Sequence, residues 1–180
     1  VRYRPADRQS ARSLLGLAPD RTVIGAVGRL VAVKNHLGLV EAVAPLAAER
    51  PELCLVLIGD GPLRGAIADR ASALGISDQV YLTGARGNLA ELYPAMDVYA
   101  LPSFAEGCSI SLLEAMACGI PVVATAVGGT PDLLGEVEAG TLVPPHDVAA
   151  LRSALRVMMS DPEARISAGR AARDRVTAEF

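Results

Sequence analysis

Residues 53–59 of the sequence are Leu-Cys-Leu-Val-Leu-Ile-Gly, a run without a charged or strongly polar side chain. A strand with one face in water alternates apolar and polar residues, so a continuous run indicates a strand that is buried on both faces. Residues 121–125, Pro-Val-Val-Ala-Thr, have nearly the same character. Strands of this kind occur in parallel sheets that carry helices on both sides. These two segments therefore predict an α/β protein.

Further apolar segments of strand length extend this pattern along the chain. The predicted strands are Thr22–Gly28, Leu53–Gly59, Gln79–Leu82, Val98–Leu101, Pro121–Ala124 and Thr141–Val143. Helical patterns alternate with them, and such alternation gives a parallel sheet with right-handed crossovers. The sequence thus predicts a Rossmann-like three-layer sandwich with a parallel sheet of about six strands.

The helical patterns lie between these strands and after the last one. Asp147–Met159 has apolar residues at helical spacing and begins at an acidic residue, and a second helix is predicted over Asp161–Ala172. The stretch His36–Arg50 is also amphipathic but contains Pro45. Proline removes a backbone hydrogen bond, here to the Glu41 carbonyl, so we expect this helix to be kinked or to end early.

The 180-residue chain is 51% apolar and has 17 Lys and Arg against 20 Asp and Glu, a net charge of −3. This composition predicts a core-forming domain, excludes a disordered chain and argues against a nucleic-acid partner. Residues 1–20 are predicted to be a linker with a short helix, about Arg8 to Leu15, and residues 21–180 to be the domain. The pattern continues helical up to Phe180, so we expect a piece of a longer protein.

The cysteines and histidines predict neither a disulfide framework nor a metal site. Cys54, Cys108 and Cys118 have apolar neighbours and no metal-ligand spacing, so we expect buried thiols in a reducing cytoplasm. His36 and His146 fall in different loops, with no ligand at metal spacing. No Asp-x-Asp triplet is present.

The acidic pair in Glu136-Val137-Glu138 is interpreted as a solvated turn rather than as a metal-binding element. We therefore predict that no metal ion and no other cofactor takes part in ligand binding.

The first candidate site follows the first strand, where ligands bind in sheets of this type. Gly28 and Arg29 end that strand, and Lys34 follows five residues after Arg29. Two cations at a strand end, next to a helix N-terminus, are suited to a diphosphate. The alternative from spacing alone is a solvated loop with two surface cations.

The second candidate site contains two carboxylates, Glu106 and Glu114, with seven residues between them. Glu114 falls in an apolar helix and needs a polar partner, which vicinal hydroxyls of a ligand could supply. Gly107 allows close approach of a ligand to the backbone, and amides at the helix start can bind phosphate. The alternative is that Glu106 caps this helix and Glu114 pairs with an arginine.

A glycine pattern after the second strand, Gly59-x-Gly61 with Gly65, matches a loose dinucleotide-binding signature. The acid that would bind the ribose should end the next strand, yet Asp78 precedes that strand and Thr83 is near its end. We therefore do not expect NAD or NADP binding.

Together these segments resemble a known family. They are residues 27–35 (VGRLVAVKN), 57–62 (LIGDGP), 81–84 (YLTG), 106–134 (EGCSISLLEAMACGIPVVATAVGGTPDLL) and 140–145 (GTLVPP). Over about residues 8–180 the chain resembles the C-terminal half of retaining glycosyltransferases with the GT-B fold, the glycosyltransferase 4 group. The chain has Glu-Gly-Cys-Ser where many members have Glu-Gly-Phe-Gly, a form similar to that of bacterial members that build surface polysaccharides.

The resemblance implies roles for the residues above. Arg29 and Lys34, beside Gly28, would hold the diphosphate of a nucleotide sugar without a metal ion and stabilise its departure. Glu106 would bind hydroxyls of the donor sugar, and Glu114 those of the ribose. Arg29, Lys34 and Glu106 would be the catalytic residues. Further donor contacts would come from Leu82 and Thr83 at the base and from Gly107, Cys108, Ser109 and Ile110 at the sugar and phosphates.

The resemblance also implies partners. The acceptor, a saccharide or a lipid-linked saccharide, would be bound by an N-terminal domain that this sequence does not contain, so we expect this chain alone to bind donor but not to transfer sugar. The full protein would be cytoplasmic, with the option of peripheral attachment to the inner face of the plasma membrane.

Other functions fit the residues less well. A nucleotide-sugar epimerase could share the fold. A phosphorylase would need a lysine for pyridoxal phosphate, but Lys34 is the only lysine in the sequence. A receiver-type signalling module would need an acidic pair near the end of the first strand, which instead reads Val27-Gly28-Arg29.

Overall fold

A computed structural model describes residues 2–135 and 139–180 of the protein, so Glu136 and Glu138 lie outside the described residues. The strands are β1 (Thr22–Val27), β2 (Leu53–Ile58), β3 (Val80–Gly84), β4 (Val98–Leu101), β5 (Val122–Thr125) and β6 (Gly140–Val143). The helices are α1 (Arg8–Leu14), α2 (His36–Glu49), α3 (Arg64–Ala73), α4 (Leu89–Leu92), α5 (Ile110–Ala117), α6 (Thr130–Leu134), α7 (Val148–Ser160) and α8 (Pro162–Glu179). Short 3₁₀ turns span Ala32–Lys34, Ser77–Gln79 and Tyr93–Ala95.

The strands form one parallel sheet in the order β3-β2-β1-β4-β5-β6. The three-layer α/β fold with six parallel strands is thus confirmed, and the predicted strand ends differ from the observed ones by at most two residues. The chain order reverses between β1 and β4, which are neighbours in the sheet. In open sheets of this kind, ligands bind where two such neighbouring strands end.

The core lies in two layers, one on each face of the sheet. Leu55 of β2 packs in a cluster with residues of α2, α3 and α7, whereas its neighbour Val56 packs with residues of α1, α4 and α5. Every side chain of β2 is at most 2% exposed. Burial on both faces explains why this strand has no polar alternation, as its sequence predicted.

Helix α2 continues through Pro45 to Glu49, so the expectation that it would end early is wrong. The lost backbone bond costs about 3 kcal/mol. Leu39, Val43 and Leu46 of the same helix are at most 1% exposed. Burying a side chain of this size contributes about 1.5–3 kcal/mol. Packing of the helix against the sheet therefore outweighs the loss at the proline.

Cys54 and Cys118 are buried, as predicted, and burial raises the pKa of each thiol to about 11. Cys108, in contrast, is exposed, so the predicted burial of this thiol is wrong. It lies in the loop between β4 and α5, where its apolar sequence neighbours do not enter the core.

A buried ion cluster ties α1 to the sheet at the start of β4. The carboxylate of Asp97 accepts hydrogen bonds from Arg8 (2.5 Å), Arg12 (2.7 Å) and the backbone amide of Val23 (2.7 Å). The side chains of Arg12 and Asp97 are 7% and 5% exposed. Within the described ranges, no helix has the length and apolar character needed to cross a bilayer.

Candidate functional site

Lys34 and Glu106 meet at the carboxyl end of the sheet, next to Gly28. The Lys34 side chain lies over Gly28, so a Cβ at that glycine would come 3.7 Å from Lys34 Cε. Its ammonium Nζ donates to Glu106 Oε1 at 2.6 Å, and the Ser103 hydroxyl donates to the same oxygen at 2.6 Å. The structure therefore joins one residue from each of the two sequence motifs. Arg29, the second predicted cation, is exposed at the same strand end.

Glu106 does not cap helix α5, which was the alternative that the sequence left open. Helix α5 begins after Ser109, whose side chain makes no capping hydrogen bond. The Glu106 carboxylate lies three residues earlier and bonds Lys34 and Ser103 instead. Its side chain is 8% exposed and that of Lys34 is 23% exposed. Lys34 can thus be reached from solvent while its partner carboxylate is mostly enclosed.

Two neighbouring loops hold the Glu106 loop in place. The amide of Gly129 donates to the Gly107 carbonyl at 3.1 Å, and a Cβ at Gly128 would lie only 1.6 Å from the Glu106 carbonyl oxygen. Gly128 also has a φ of 51°, in the left-handed region that favours glycine. The loop after β5 therefore needs this glycine to pack against the Glu106 backbone.

Phe104, which lies in the same loop as Glu106, connects that loop to two others. Its amide donates to the Val33 carbonyl at 2.8 Å, next to Lys34. Its ring stacks on His146 in the loop after β6, with ring centroids 4.2 Å apart and an angle of 14° between the rings. Loops after β1, β4 and β6 are thus linked around the Lys34–Glu106 contact.

The start of α5, which follows the Glu106 loop, presents backbone amides on the same side of the molecule as the Lys34–Glu106 contact. Gly107, Cys108 and Ile110 are exposed, with Ile110 at 70%, whereas Ser109 is buried. The first amides of a helix lack partners within the helix and carry partial positive charge. An anionic group at this loop would therefore be close to amide donors as well as to Lys34.

Glu114 lies further along α5 and contacts a tyrosine rather than an arginine. The Tyr93 hydroxyl donates to Glu114 Oε2 at 2.8 Å and lies 3.1 Å from the Ser111 carbonyl oxygen. Tyr99 donates to the Ser111 hydroxyl at 2.8 Å and reaches the Val27 carbonyl at the end of β1 at 3.5 Å. Polar contacts of Tyr93, Ser111 and Tyr99 therefore extend from Glu114 to the strand end where Gly28 begins.

Glu114 also borders a cavity of 480 Å³ between α5, α8 and the N-terminal residues. Tyr3 lies on its wall, and its ring edge packs on the Tyr93 ring at 5.9 Å between centroids. Burial, and next the hydrogen bond with the Glu114 carboxylate, raise the pKa of Tyr3. Glu114 is thus enclosed on one side by tyrosines and open on another.

Leu82 and Thr83 lie at the end of β3, two strands away from β1 in the sheet. The Leu82 carbonyl accepts a hydrogen bond from the Arg64 guanidinium at 2.8 Å, and the Thr83 hydroxyl bonds the Gly84 carbonyl at 3.1 Å. Arg64 was not predicted as a site residue. Its cation lies beside the backbone segment that the sequence assigned to the base.

The glycine pattern after β2 has a structural explanation. A Cβ at Gly59 would lie 1.9 Å from the Gly28 carbonyl oxygen, and one at Gly61 would lie 2.6 Å from the Leu30 carbonyl oxygen. These glycines allow the loop after β2 to pack against the loop that carries Lys34.

Sequence reasoning did not assign roles to Ser103, Tyr93, Arg64 or Gly128. Ser103 lies just after the fourth predicted strand, at a strand end where ligand-binding residues are expected. Gly128 follows a predicted strand, which marks it as a position for close backbone approach. Tyr93 gave no signal, because its contact with Glu114 depends on how the 3₁₀ turn packs against α5.

His36 lies at the start of α2 and is 3% exposed. Burial, and next the charge of Lys34, lower the pKa of His36 to about 4. The His36 imidazole is therefore neutral at pH 7. In the part of the chain that the structure describes, no three His, Cys, Asp or Glu side chains cluster closely enough to hold a metal ion.

The sequence and the fold of this chain are similar to those of known proteins. The sequence model of the family described as "Glycosyl transferases group 1" matches residues 7–175. The chain belongs to this family. D-inositol 3-phosphate glycosyltransferase from Rhodococcus opacus is 39% identical over an alignment of 177 residues that covers 93% of this chain and 40% of that protein. The chain thus spans less than half the length of this glycosyltransferase.

Solved structures of group 1 glycosyltransferases and their relatives have the same fold. The C-terminal domain of a glycosyl transferase group 1 family protein from Francisella tularensis superposes with a TM-score of 0.89, at 27% identity, over 99% of this chain and 95% of that one. HepE from Anabaena, solved in complex with UDP and glucose, superposes with a TM-score of 0.88 at 26% identity, over 98% of this chain and 49% of that one. The fold is therefore the Rossmann-like half of a GT-B glycosyltransferase.

Proposed function

We propose that this chain binds the donor of a glycosyltransferase that moves a sugar from a nucleoside diphosphate to a saccharide or lipid-linked acceptor. Membership of the group 1 family supports sugar transfer as the activity of the full protein. HepE, which has the same fold, was solved with UDP and glucose, and this supports a nucleotide sugar as the ligand. The transferred group is proposed to be a hexose or N-acetylhexosamine, and its configuration to be retained.

The contact between Lys34 and Glu106 carries this proposal. In a nucleotide sugar, the distal phosphate is bonded directly to the anomeric carbon of the sugar. A cation that binds the phosphate and a carboxylate that binds sugar hydroxyls must therefore be close neighbours. Lys34 Nζ and Glu106 Oε1 are 2.6 Å apart at the carboxyl end of the sheet. A donor would insert at this contact, with its phosphate on the lysine and its sugar on the glutamate.

The chemistry assigned to these residues is stabilisation of the leaving group. As the anomeric C–O bond breaks, negative charge grows on the diphosphate. Lys34, Arg29 and the first amides of α5 would stabilise that charge. The proposal assigns no metal ion and no other cofactor to donor binding. The acceptor would attack on the face from which the diphosphate leaves.

The nucleoside is assigned to the other predicted residues. Glu114 would accept hydrogen bonds from the ribose hydroxyls, because an ionised carboxylate has about four lone-pair positions. The base would lie at Leu82 and Thr83, where Arg64 holds one carbonyl. Uracil is the base we expect, from the UDP complex of HepE.

We further propose that residues 1–20 are an entry linker with the short helix α1, which packs on the donor domain formed by residues 21–180. An acceptor-binding domain elsewhere in the protein would complete the cleft, so this chain alone should bind donor without transferring sugar. The full enzyme would act in the cytoplasm of a bacterium, in surface polysaccharide or glycolipid synthesis. With a lipid-linked acceptor it would work at the inner face of the plasma membrane.

The curated relatives suggest a second class of acceptor. The R. opacus relative is named for D-inositol 3-phosphate. Transfer by the full protein should therefore be assayed with this phosphorylated cyclitol beside saccharide and lipid-linked acceptors.

Calorimetric titration of this chain with UDP, GDP and ADP in EDTA tests the proposal. We expect saturable binding of UDP, reduced at least tenfold in a variant with Arg29→Ala and Lys34→Ala. Arg156→Ala is the matched control, since it also removes a cation but from an exposed ion pair with Glu49 on α2. Binding of none of the three nucleotides, or equal losses in both variants, would contradict the proposed site.

A further inference from the structure

The Tyr93 hydroxyl is a buried donor to the Glu114 carboxylate, with which Tyr3 also interacts. Tyr93 is fully buried in the 3₁₀ turn before β4, and its hydroxyl lies 2.8 Å from Glu114 Oε2. The Ser111 carbonyl, 3.1 Å away, is the other acceptor within reach. A tyrosine hydroxyl has one proton, and a hydrogen bond to a charged acceptor is the stronger of the two.

The surroundings of Tyr93 keep this proton in place. Burial, followed by the charges of Tyr99 and Glu114, raises the pKa of Tyr93 far above its ordinary value. The hydroxyl therefore stays a donor over the working pH range. The rings of Tyr3 and Tyr99 pack on the Tyr93 ring, with centroids 5.9 and 6.1 Å away. The ring that carries the hydroxyl is thus held on two sides.

A glutamate on a helix surface has three rotatable side-chain bonds, and ordering it costs about 1–2 kcal/mol. A ligand that binds a free carboxylate must supply that ordering, whereas a carboxylate already directed by the protein binds without it. The remaining lone pairs of Glu114 can then accept two vicinal hydroxyls. Glu114 borders the open cavity of 480 Å³, so these lone pairs have an accessible side.

We infer that Tyr93 is a positioning residue that holds Glu114 in the orientation needed to bind the ribose 2′- and 3′-hydroxyls of the nucleotide. This inference rests on the proposed function, and specifically on the ribose role of Glu114. It assigns a part of ribose recognition to a residue that does not itself contact the ligand.

The test is the preference for UDP over 2′-deoxy-UDP, measured by calorimetry. We expect wild type to bind UDP about tenfold more tightly than 2′-deoxy-UDP, and Glu114→Gln to lose this preference. Tyr93→Phe should reduce the preference to about threefold or less. A preference in Tyr93→Phe equal to that of wild type, beside its loss in Glu114→Gln, would overturn the inference.

Tyr99→Phe is the matched control. It removes a hydroxyl of the same type from an equally buried ring, but this hydroxyl contacts Ser111 and not Glu114. A merely structural role of Tyr93 would give equal effects in both variants, whereas positioning of Glu114 predicts that Tyr99→Phe keeps the tenfold preference. Equal loss in the two variants would also overturn the inference.

A double variant gives an independent readout. If Tyr93 acts through Glu114, adding Tyr93→Phe to Glu114→Gln should change the ratio no further. A further loss in the double variant would contradict the inference. If wild type binds both nucleotides equally, the ribose role of Glu114 fails and the inference with it, while diphosphate binding stands. No binding of UDP at all would instead contradict the proposed function.

Discussion

Strand β4 has an ion cluster at each end, and the two clusters differ in composition and exposure. At its start, Asp97 accepts three hydrogen bonds, from Arg8, Arg12 and the Val23 amide. Beyond its end, Glu106 is bonded by Lys34 and Ser103 on a single oxygen. The Asp97 cluster joins a helix to the sheet, whereas the Glu106 cluster lies among solvent-exposed loops.

We expect this difference between a structural ion pair and the ligand-binding pair proposed for Lys34 and Glu106. A buried charge is tolerated when its hydrogen bonds are complete, and it then holds the elements that provide them. A pair in which the lysine side chain is 23% exposed can instead exchange its partners for those of a ligand. The two clusters should therefore respond in opposite ways to substitution.

The largest expected effect is at the start of β4. Asp97→Ala leaves the buried Arg12 without its carboxylate, and we expect the free energy of unfolding to fall by about 3–5 kcal/mol. Urea unfolding followed by circular dichroism measures it. Glu49→Ala, which breaks an exposed pair with Arg156, should cost far less stability. Similar losses in the two variants would contradict a structural role for the Asp97 cluster.

The second effect depends on pH and concerns His36, beside Lys34. The pKa of His36 is lowered to about 4 in the folded protein, against about 6.5 in the unfolded chain. The unfolded state therefore binds more protons between these values, so stability falls as pH drops from about 6.5 to 4. The full loss is about 3 kcal/mol.

Chemical unfolding at several pH values, compared between wild type and His36→Leu, isolates this contribution. The difference in slope between the two proteins should be confined to the window from pH 6.5 to 4, because His36→Leu cannot titrate. Parallel stability curves for wild type and variant would show that His36 is not held neutral by the fold.

The third effect tests the loops around Glu106. Gly128→Ala places a Cβ against the Glu106 carbonyl, so we expect a loss of about 2 kcal/mol in stability and weaker binding of UDP. Gly75→Ala is the control, since it has a similar left-handed φ of 71° with open space around it. It should cost about 1 kcal/mol from backbone strain alone and leave UDP affinity unchanged. Unchanged UDP affinity in Gly128→Ala would contradict the role given to this loop.

Local patterns in the sequence were sufficient for the fold. The buried run of β2 and the alternation of strands with helices predicted the parallel sheet, because a strand buried on both faces is apolar at nearly every position. The expectation that α2 would end early at Pro45 was wrong, since that effect depends on how strongly the rest of the helix packs. Cys108 was misjudged for a related reason, because apolar sequence neighbours do not ensure burial in a loop.

The candidate site was predicted only in part. The family resemblance assigned Lys34 and Glu106 to one donor, but their direct contact across 72 residues of sequence is seen only in the structure. Tyr93 could not have been found, because its hydroxyl meets Glu114 through the packing of a turn on a helix. Residues with polar side chains at strand ends can be read from a sequence, whereas residues that position them from the core cannot.

The smallest expected effect tests most directly whether a ligand can replace Glu106 as the partner of Lys34. Glu106→Gln keeps the acceptor for Ser103 but removes the charge that competes with a diphosphate for Lys34. We therefore expect UDP to bind two- to fivefold more tightly, a change of about 1 kcal/mol or less, as for other partly exposed ion pairs. UDP-glucose should bind more weakly than to wild type, because the amide is a poorer acceptor for sugar hydroxyls.

Glu49→Gln makes the same change of charge in the exposed pair with Arg156, and calorimetry should show no change for either ligand. Weaker binding of UDP itself would mean that the glutamate helps to hold Lys34 for the phosphate rather than competing for it, and the pair at the end of β4 would then be as structural as the cluster at its start.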